Sequence, residues 1–470
     1  MSVLNNSFVL EINGIEWTNF NSFEIDLKYD SIGSTFTIES DYDVNNPMHR
    51  KLFSPLKYNR IQIFANVPVG ASGTQTTKEL VLTGTILNHS TSASKEKSLL
   101  GLSGYSITGV LEDCTIDVDS YPLQIDGMNL GEIVAKLIKP FGLGLYIADS
   151  INQNLVLGQT LEDPVSNTTP VTPDAPPLAT NPDNQTIDTG RYKFTDPNYA
   201  PISDDANAKI SKIDFKPSET IKEIITKLTS QRNVVLTHDR WGNVILTTLN
   251  TNTIVKATYD ENENVQPGAP LSSPTTKISL NVNGQALHSK LSIVREASLE
   301  SDEPGESTID QLNTDQGSAD SGFNFAQTVD PGILNNQIAS DSANSEDTGK
   351  ANIYDGLIYA YRPTMKELST GENQTAELAV KMLMAAELKN IKLTIDTDRW
   401  TWLGPGTPRE VIRPNNMISV LSPSNFIFKP TLFFVENVKL KGTTEEITAS
   451  LECVLPQTFT GDTPSYILSK

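Results

Sequence analysis

The 470-residue sequence contains two cysteines and four histidines, and it has no Lys and Arg cluster of the kind that phosphate contacts need. Cys114 and Cys453 cannot form a disulfide framework in a chain of this length. Their apolar, strand-like contexts make them expected reduced core residues, where free thiols usually sit. His49, His89, His238 and His288 never fall at the spacing of a metal pair, so no metal site is expected. There are 57 acidic against 36 basic residues, a formal charge of −21. That balance argues against duplex-DNA binding as the main role, and no sequence-specific nucleic-acid partner is expected, because phosphate affinity comes from counterions displaced by clustered cations. No apolar run approaches the ~20 residues that span a bilayer. The start, MSVLNNSFVLEING, has no basic region leading into an apolar core. The expectation is a protein made soluble in the cytosol, with no membrane segment.

Catalytic motifs are equally sparse. SDYDVNN (residues 40–46) opens like a calcium loop with Asp41, Asp43 and Asn45, but Asn46 stands at the glycine position and Leu52 where a bidentate Glu is required. A solvated turn is expected there. GLSGY (101–105) is one glycine out of phase with a nucleophile elbow and lies among strands, so a β-bulge or close backbone approach is expected instead. Gly142-Leu143-Gly144 and Gly404-Pro405-Gly406 lack the third glycine and following helix of a dinucleotide loop, and no Walker sequence occurs. With 57 acids, some carboxylate pair always suits glycoside hydrolysis, and abundance makes that signal uninformative. Trp17, Trp241, Trp400 and Trp402 are expected in core or subunit contacts ahead of ligand stacking. No catalytic, cofactor-binding or metal residues are assigned, and the chain is expected not to be an enzyme.

What is present is mostly β pattern. FVLEI, Asn13-Gly14 and IEW form a hairpin signal, since Asn-Gly supplies the positive φ angles of a tight turn. FEIDLKY, STFTIES, RIQIFANV, ELVLTGTIL and KSLLGLSGYSI follow with alternating apolar positions, and an apolar face repeated on successive strands closes best in a barrel or sandwich. After Asn129, Leu130, Ile133, Val134, Leu137 and Ile138 make an amphipathic helical stripe, ended by Pro140 and Gly142 before LGLYIA resumes as strand. Ile221, Ile224, Ile225 and Leu228 repeat the stripe, with Ser218 expected as N-cap, and lead to NVVLTHD, a turn at 240–242, and NVILTTL. Glu132–Leu137 aligns with Glu223–Leu228, and duplication and chance both account for so short a match. Near the C-terminus, Ala379, Met382, Leu383 and Ala386 mark a helix from Thr375 to about Asn390. The strands IKLTIDT, NMISVL, FIFK, TLFFVENVKL and EITASLECVL follow.

The fold class expected is α+β, mainly β: two small tube-like β-barrel domains plus two α/β helix-hairpin units, with two long polar insertions. The domains are an N-terminal β domain (1–112), the first α/β unit (113–160), a Pro-rich linker or arm (161–208), the second α/β unit (209–250), a linker (251–275), a second β domain with one helix (276–300 and 351–460), an acidic flexible insertion (301–350) and a C-terminal tail (461–470). The acidity is local. Residues 161–208 hold eight acids and two bases, and 301–350 hold ten acids and one base. The remaining framework is nearly balanced, which suits packing against like subunits.

The order of these pieces resembles a family. LTGTILNHSTSASKEKSLLGLSGYSITGVLEDCTID and LQIDGMNLGEIVAKLIKPFGLGLYI, with Gly104-Tyr105-Ser106, Leu111 to Cys114 and Pro140 to Gly142, look like the baseplate hub proteins of contractile phage tails, particularly the Mu-like tail hub family. SETIKEIITKLTSQRNVVLTHDRWGNVILTTL, YAYRPTMKE, DRWTWLGPGTPREVIRPNNMISVLSP with Pro414-Asn415, LFFVENVKL and ITASLECVLPQTF follow the same order to the closing Pro456. The resemblance covers roughly three quarters of the chain and leaves out the two polar insertions. It implies a homotrimer whose six β domains form a ring adapting a six-fold tail tube to a three-fold spike. The implied partners are further copies of the chain, the central spike, tail tube proteins, and tape-measure and baseplate wedge proteins. The implied place is the virion tail baseplate, after assembly in the host cytoplasm. Alternatives are a hub of a tailocin, a contractile injection system or a non-contractile tail, and, from other classes, a carbohydrate-binding host-recognition protein or an acid-catalysed hydrolase.

Overall fold

The structure is a computed structural model that describes residues 7–69, 75–93, 98–117, 127–147, 155–156, 199–200, 202–203, 206–210, 216, 218–249, 255–261, 277–288, 290–295, 325–329, 362–368, 376–402 and 409–460. Its elements in chain order begin with β1 (Phe8–Ile12), β2 (Ile15–Trp17), β3 (Phe20–Lys28), β4 (Thr35–Asp41), α1 (Pro47–Leu52), β5 (Arg60–Val69), β6 (Gln75–Ala93), β7 (Ser98–Ser106) and α2 (Val110–Asp113). Next come α3 (Leu130–Ile138), β8 (Leu145–Ile147), β9 (Leu155–Val156), β10 (Tyr199–Ala200), α4 (Ile221–Ser230), β11 (Val235–His238) and β12 (Val244–Leu249). The rest are β13 (Val255–Asp260), β14 (Lys277–Val282), β15 (Lys290–Arg295), β16 (Phe325–Val329), β17 (Pro363–Leu368), α5 (Ala376–Leu388), β18 (Ile391–Thr397), β19 (Asn416–Ser422), β20 (Ile427–Thr443), β21 (Ile447–Val454) and α6 (Gln457–Thr460). The mainly β character follows the alternation in the sequence. In β4, for example, Phe36, Ile38 and Ser40 are buried between exposed Thr35, Thr37, Glu39 and Asp41, the pattern of a half-buried strand.

The chain divides into two compact units, Met1–Ser230 with Val234–Leu280 and Lys392–Pro456, and Gln231–Asn233 with Asn281–Ile391 and Gln457–Lys470. The first unit is built on a thirteen-stranded sheet in the order β14-β18-β21-β20-β3-β4-β7-β6-β5-β1-β2, with β19 on β20 and β13 on β19. Alternation led to an expectation of closed barrels. The sheet is instead an open path, and among the described residues no ladder joins its ends, because β20 takes β3 as a neighbour and the N- and C-terminal strands continue one another. Asn13 (φ 51°) and Gly14 (φ 78°) give the expected left-handed turn between β1 and β2.

The two helix-hairpin pieces share a second sheet. β8 pairs with β9, β11 pairs with β12, and β8 joins β12 in parallel at Leu145–Val244, Tyr146–Ile245 and Ile147–Leu246. The stripes of α3 and α4 bury Leu130, Ile133, Val134, Leu137, Ile138, Ile221, Ile224, Ile225 and Leu228 in one core with Ile32 and Leu111. Both helices start with the same reciprocal device. The Asn129 side chain accepts from Glu132 N (2.8 Å) while Glu132 accepts from Asn129 N (2.9 Å). Thr220 and Glu223 do the same at 3.2 and 2.8 Å. The N-cap of α4 is therefore Thr220 rather than Ser218, since only a residue three before Glu223 can close the box. Gly142 (φ 65°) ends the short 3-10 turn after α3.

In the second unit β15 lies between β16 and β17, and Ala379 and Val380 of α5 are buried with Ile293. Phe325–Val329 falls inside the segment 301–350 expected to be a flexible acidic insertion. It is a strand because its backbone completes the antiparallel edge of β15. The rest of 301–350 lies outside the described residues. So do the Pro-rich stretch 161–198, residues 403–408 with the Gly404–Gly406 turn, and the tail 461–470.

Candidate assembly surface

The polar residues singled out in the sequence are spread through the fold. Among the described residues no group of three His, Cys, Asp or Glu is placed to hold a metal. Asp43 accepts from Asn45 N at 2.9 Å and Asn46 caps α1 by accepting from Met48 N at 2.9 Å, so SDYDVNN ends in a helix cap. GLSGY is the close approach of two strands: a Cβ on Gly104 would run into the Thr85 carbonyl oxygen and the Phe36 ring, and one on Gly84 would meet Tyr105 O at 2.5 Å. The register shifts beside it, between Ile86 and Asn88.

Cys453 is buried, and burial raises its thiol pKa well above the ordinary value. Cys114 is only half-buried and sits just past α2 rather than in a strand, because its neighbours Val110–Asp113 wind into a helical turn. Its pKa is raised by burial and then by Asp113. Of the tryptophans, Trp17 and Trp402 are buried, Trp400 lies 5.1 Å from the Phe8 ring, and the Trp241 ring is covered by the Arg240 guanidinium at 4.3 Å. Trp241 and Trp400 are each partly buried.

The side chains that do converge hold distant parts of the first unit together. His238, at the end of β11, is buried. Its Nδ1 lies 2.9 Å from Ser31 O and its Nε2 2.9 Å from Ser34 Oγ, which ties the second sheet to the β3–β4 connection. Burial lowers its pKa to about 4, so the ring is neutral at pH 7. Asp239 beside it accepts from the backbone N–H of Trp241, Gly242 and Asn243 and from Asn243 Nδ2, all at 2.7–2.9 Å. Gly242 (φ 97°) makes that turn possible. Burial still raises the Asp239 pKa against those four bonds. Nearby, Lys222 Nζ reaches Glu112 Oε1 at 2.7 Å.

Glu79 of β6 is the second junction. Its Oε1 receives Arg240 Nη1 at 3.3 Å and Arg413 Nη2 at 3.0 Å, and its Oε2 receives Val411 N at 3.2 Å. Arg413 also donates to the carbonyls of Leu80 and Val81. One carboxylate thus joins the N-terminal sheet, the β11–β12 turn and the segment before β19. Sequence inspection gave no sign of Glu79, Arg240 and Arg413 as partners, since the first and last stand more than three hundred residues apart.

The third feature is the seam between β3 and β20. Leu27 pairs with Val438 and Ile25 with Leu440 on the buried face, while Glu24 and Asp26 pair with Lys441 and Lys439 on the other. Glu24 forms ion pairs with Lys439 at 3.5 Å and Lys441 at 3.2 Å, and Asp26 with Lys28 at 3.5 Å, so both acids on the polar face of the seam are matched by lysines. Tyr29 N donates to Glu436 O at 3.0 Å and the Tyr29 ring stands edge-on to Phe434 at 4.8 Å. Past the point where β21 begins to pair at Phe434, β20 runs on with exposed Phe428, Lys429, Pro430 and Leu432, next to exposed Phe426.

No known protein family matches the sequence, and no curated protein matches it. Solved structures do. The 43 kDa tail protein of prophage MuSo2 from Shewanella oneidensis aligns over 96% of this chain and 99% of its own, with a TM-score of 0.58 and 16% identity. A tail protein from Neisseria meningitidis MC58 aligns over 97% and 98%, with a TM-score of 0.57 and 14% identity. The chain therefore shares the fold of these tail proteins.

Proposed function

We propose that this chain is a structural baseplate hub of a phage tail. Three copies form a ring that adapts the six-fold tail tube to the three-fold central spike, in the virion, without catalytic activity. The carrying observation is the β3–β20 seam: strands from both ends of the chain build one sheet, so each subunit offers an N-terminal and a C-terminal set of strands to a ring of three. The full-length fold match to two tail proteins supports the same reading. A ring of identical subunits needs a heterologous interface that closes, and the polar face of the seam, where Glu24 and Asp26 are matched by lysines, can line a channel without imposing a strongly negative field. Partners on this reading are the tail tube, the spike, and the tape-measure and wedge proteins that surround a hub.

The test is the mass of the purified protein at micromolar concentration, with electron microscopy of the same sample. Particles of three times 51.4 kDa with a central opening are expected. A stable 51.4 kDa monomer across the concentration range overturns the proposal.

A further inference from the structure

The β4–β5 connection, residues 42–59, carries a surface that the fold itself does not use. Its base is rigid. Trp17 meets His49 and Phe53 edge-on at 4.6 and 5.1 Å, Trp17 Nε1 donates to Ser40 Oγ at 3.2 Å, and Asp43 N donates to His49 Nδ1 at 3.1 Å. The return of the loop is pinned by buried Asn59, which donates to Leu52 O at 2.7 Å and accepts from Asn13 Nδ2 at 2.8 Å.

On this base the outward side chains are apolar. Met48 is half exposed, Leu56 is 78% exposed and Tyr58 is 61% exposed. Leu56 (φ 61°) and Tyr58 (φ 48°) both hold a left-handed backbone, a conformation that is unfavourable for side chains of this size and that persists only where the surroundings enforce it. Two strained residues that expose apolar side chains to water serve neither folding nor solubility.

The charge between them is of one sign, although the chain as a whole is acidic. Between Pro47 and Tyr58 stand Arg50, Lys51 and Lys57 and no acid. All three are exposed, and none has an ion-pair partner among the described residues. The nearest acids upstream, Asp41 and Asp43, keep their charge and are oriented by hydrogen bonds from Asn21 Nδ2 at 2.8 Å and Asn45 N at 2.9 Å. Apolar anchors including Met and Tyr inside a charged rim are the composition of a protein-docking patch.

We propose that Met48, Leu56 and Tyr58, rimmed by Arg50, Lys51 and Lys57, form a docking surface for an acidic protein partner that inserts apolar side chains between its carboxylates. Charge complementarity selects that occupant. Another exposed apolar cluster among the described residues of the first unit, around Phe426 and Phe428, carries Lys429, so docking a second copy through it would set cation against cation. The rim sets the approach and the apolar centre sets the residence time.

The probe is a fluorescent random copolymer of Glu and Tyr, which carries both features of the partner, titrated against the full-length protein by anisotropy at low salt. Poly-Glu and phosphatidylserine vesicles serve as comparisons. The expected result is saturable copolymer binding, about tenfold weaker for poly-Glu, and about tenfold weaker for Leu56→Asp with Tyr58→Ser and for Lys51→Glu with Lys57→Glu. Binding should also fall as salt screens the rim. The substituted side chains are exposed, and an unchanged thermal melt shows that the variants fold. Absence of copolymer binding overturns the proposal. Equal binding of poly-Glu overturns it too, as does binding to the vesicles in place of the copolymer.

Discussion

Gly104 and His238 are two single residues whose roles rest on contact rather than chemistry. Gly104 gives the Thr85 carbonyl and the Phe36 ring their space, so Gly104→Ala must push β6 from β7 or displace a core ring. A loss of about 1–3 kcal/mol is expected, read as a lower denaturation midpoint with unchanged slope. That glycine was legible as a close approach, because it stood in an alternating strand rather than before a helix. For His238 the sign of the pH effect follows from its pKa. The unfolded side chain titrates near 6.5 and the folded one near 4, so between those values the unfolded chain binds the extra proton. Stability contributed by neutral His238 is therefore complete above pH 6.5 and is lost as pH falls toward 4, by an amount on the order of 3 kcal/mol. Asp239, with its raised pKa, runs the other way, which is why the variant matters. His238→Gln should flatten the fall in melting temperature between pH 7 and pH 4.5, and an unchanged slope would assign the effect elsewhere. Nothing in the sequence singled out His238 from the other three histidines. Its partners Ser31 and Ser34 lie some two hundred residues away, and sequence periodicity carries no information at that range.

At the scale of elements, what repeats locally was readable and what depends on a distant strand was not. The stripes of α3 and α4 were legible because a period of 3.6 shows within one helix. The start of α4 was misplaced by two residues because Ser218 and Thr220 are both good caps, and only the reach back from Glu223 to Thr220 N distinguishes them. Replacing the cap is a direct check. Thr220→Ala should cost about 1 kcal/mol and Ser218→Ala a few tenths at most, measured by chemical denaturation. β16 shows the opposite case. An Asp- and Ser-rich stretch has no strand pattern of its own, and Phe325–Val329 becomes a strand only through five pairs with β15. The same holds for the seam, since β3 and β20 each read as half-buried strands while nothing in either names the other.

Across the whole molecule, the expectation that the chain ends form two separate closed barrels gave way to one open sheet that runs through both. A sheet built this way makes a specific demand on the segment 301–350. Its described strand, β16, pairs with β15 in the second unit and takes no part in the thirteen-stranded path. Removing 301–350 should therefore strip β15 of its antiparallel neighbour, take away the β16 strand that α5 also touches and lower the melting of the second unit. The β18-β21-β20-β3 order, and with it the proposed ring, should persist. Mass measurement and a two-probe melt separate the outcomes: a full-size ring with an earlier first transition is expected. If the shortened protein is monomeric while the intact chain is trimeric, the assembly contacts lie in the second unit, and the seam between β3 and β20 is an internal scaffold rather than the wall of a ring.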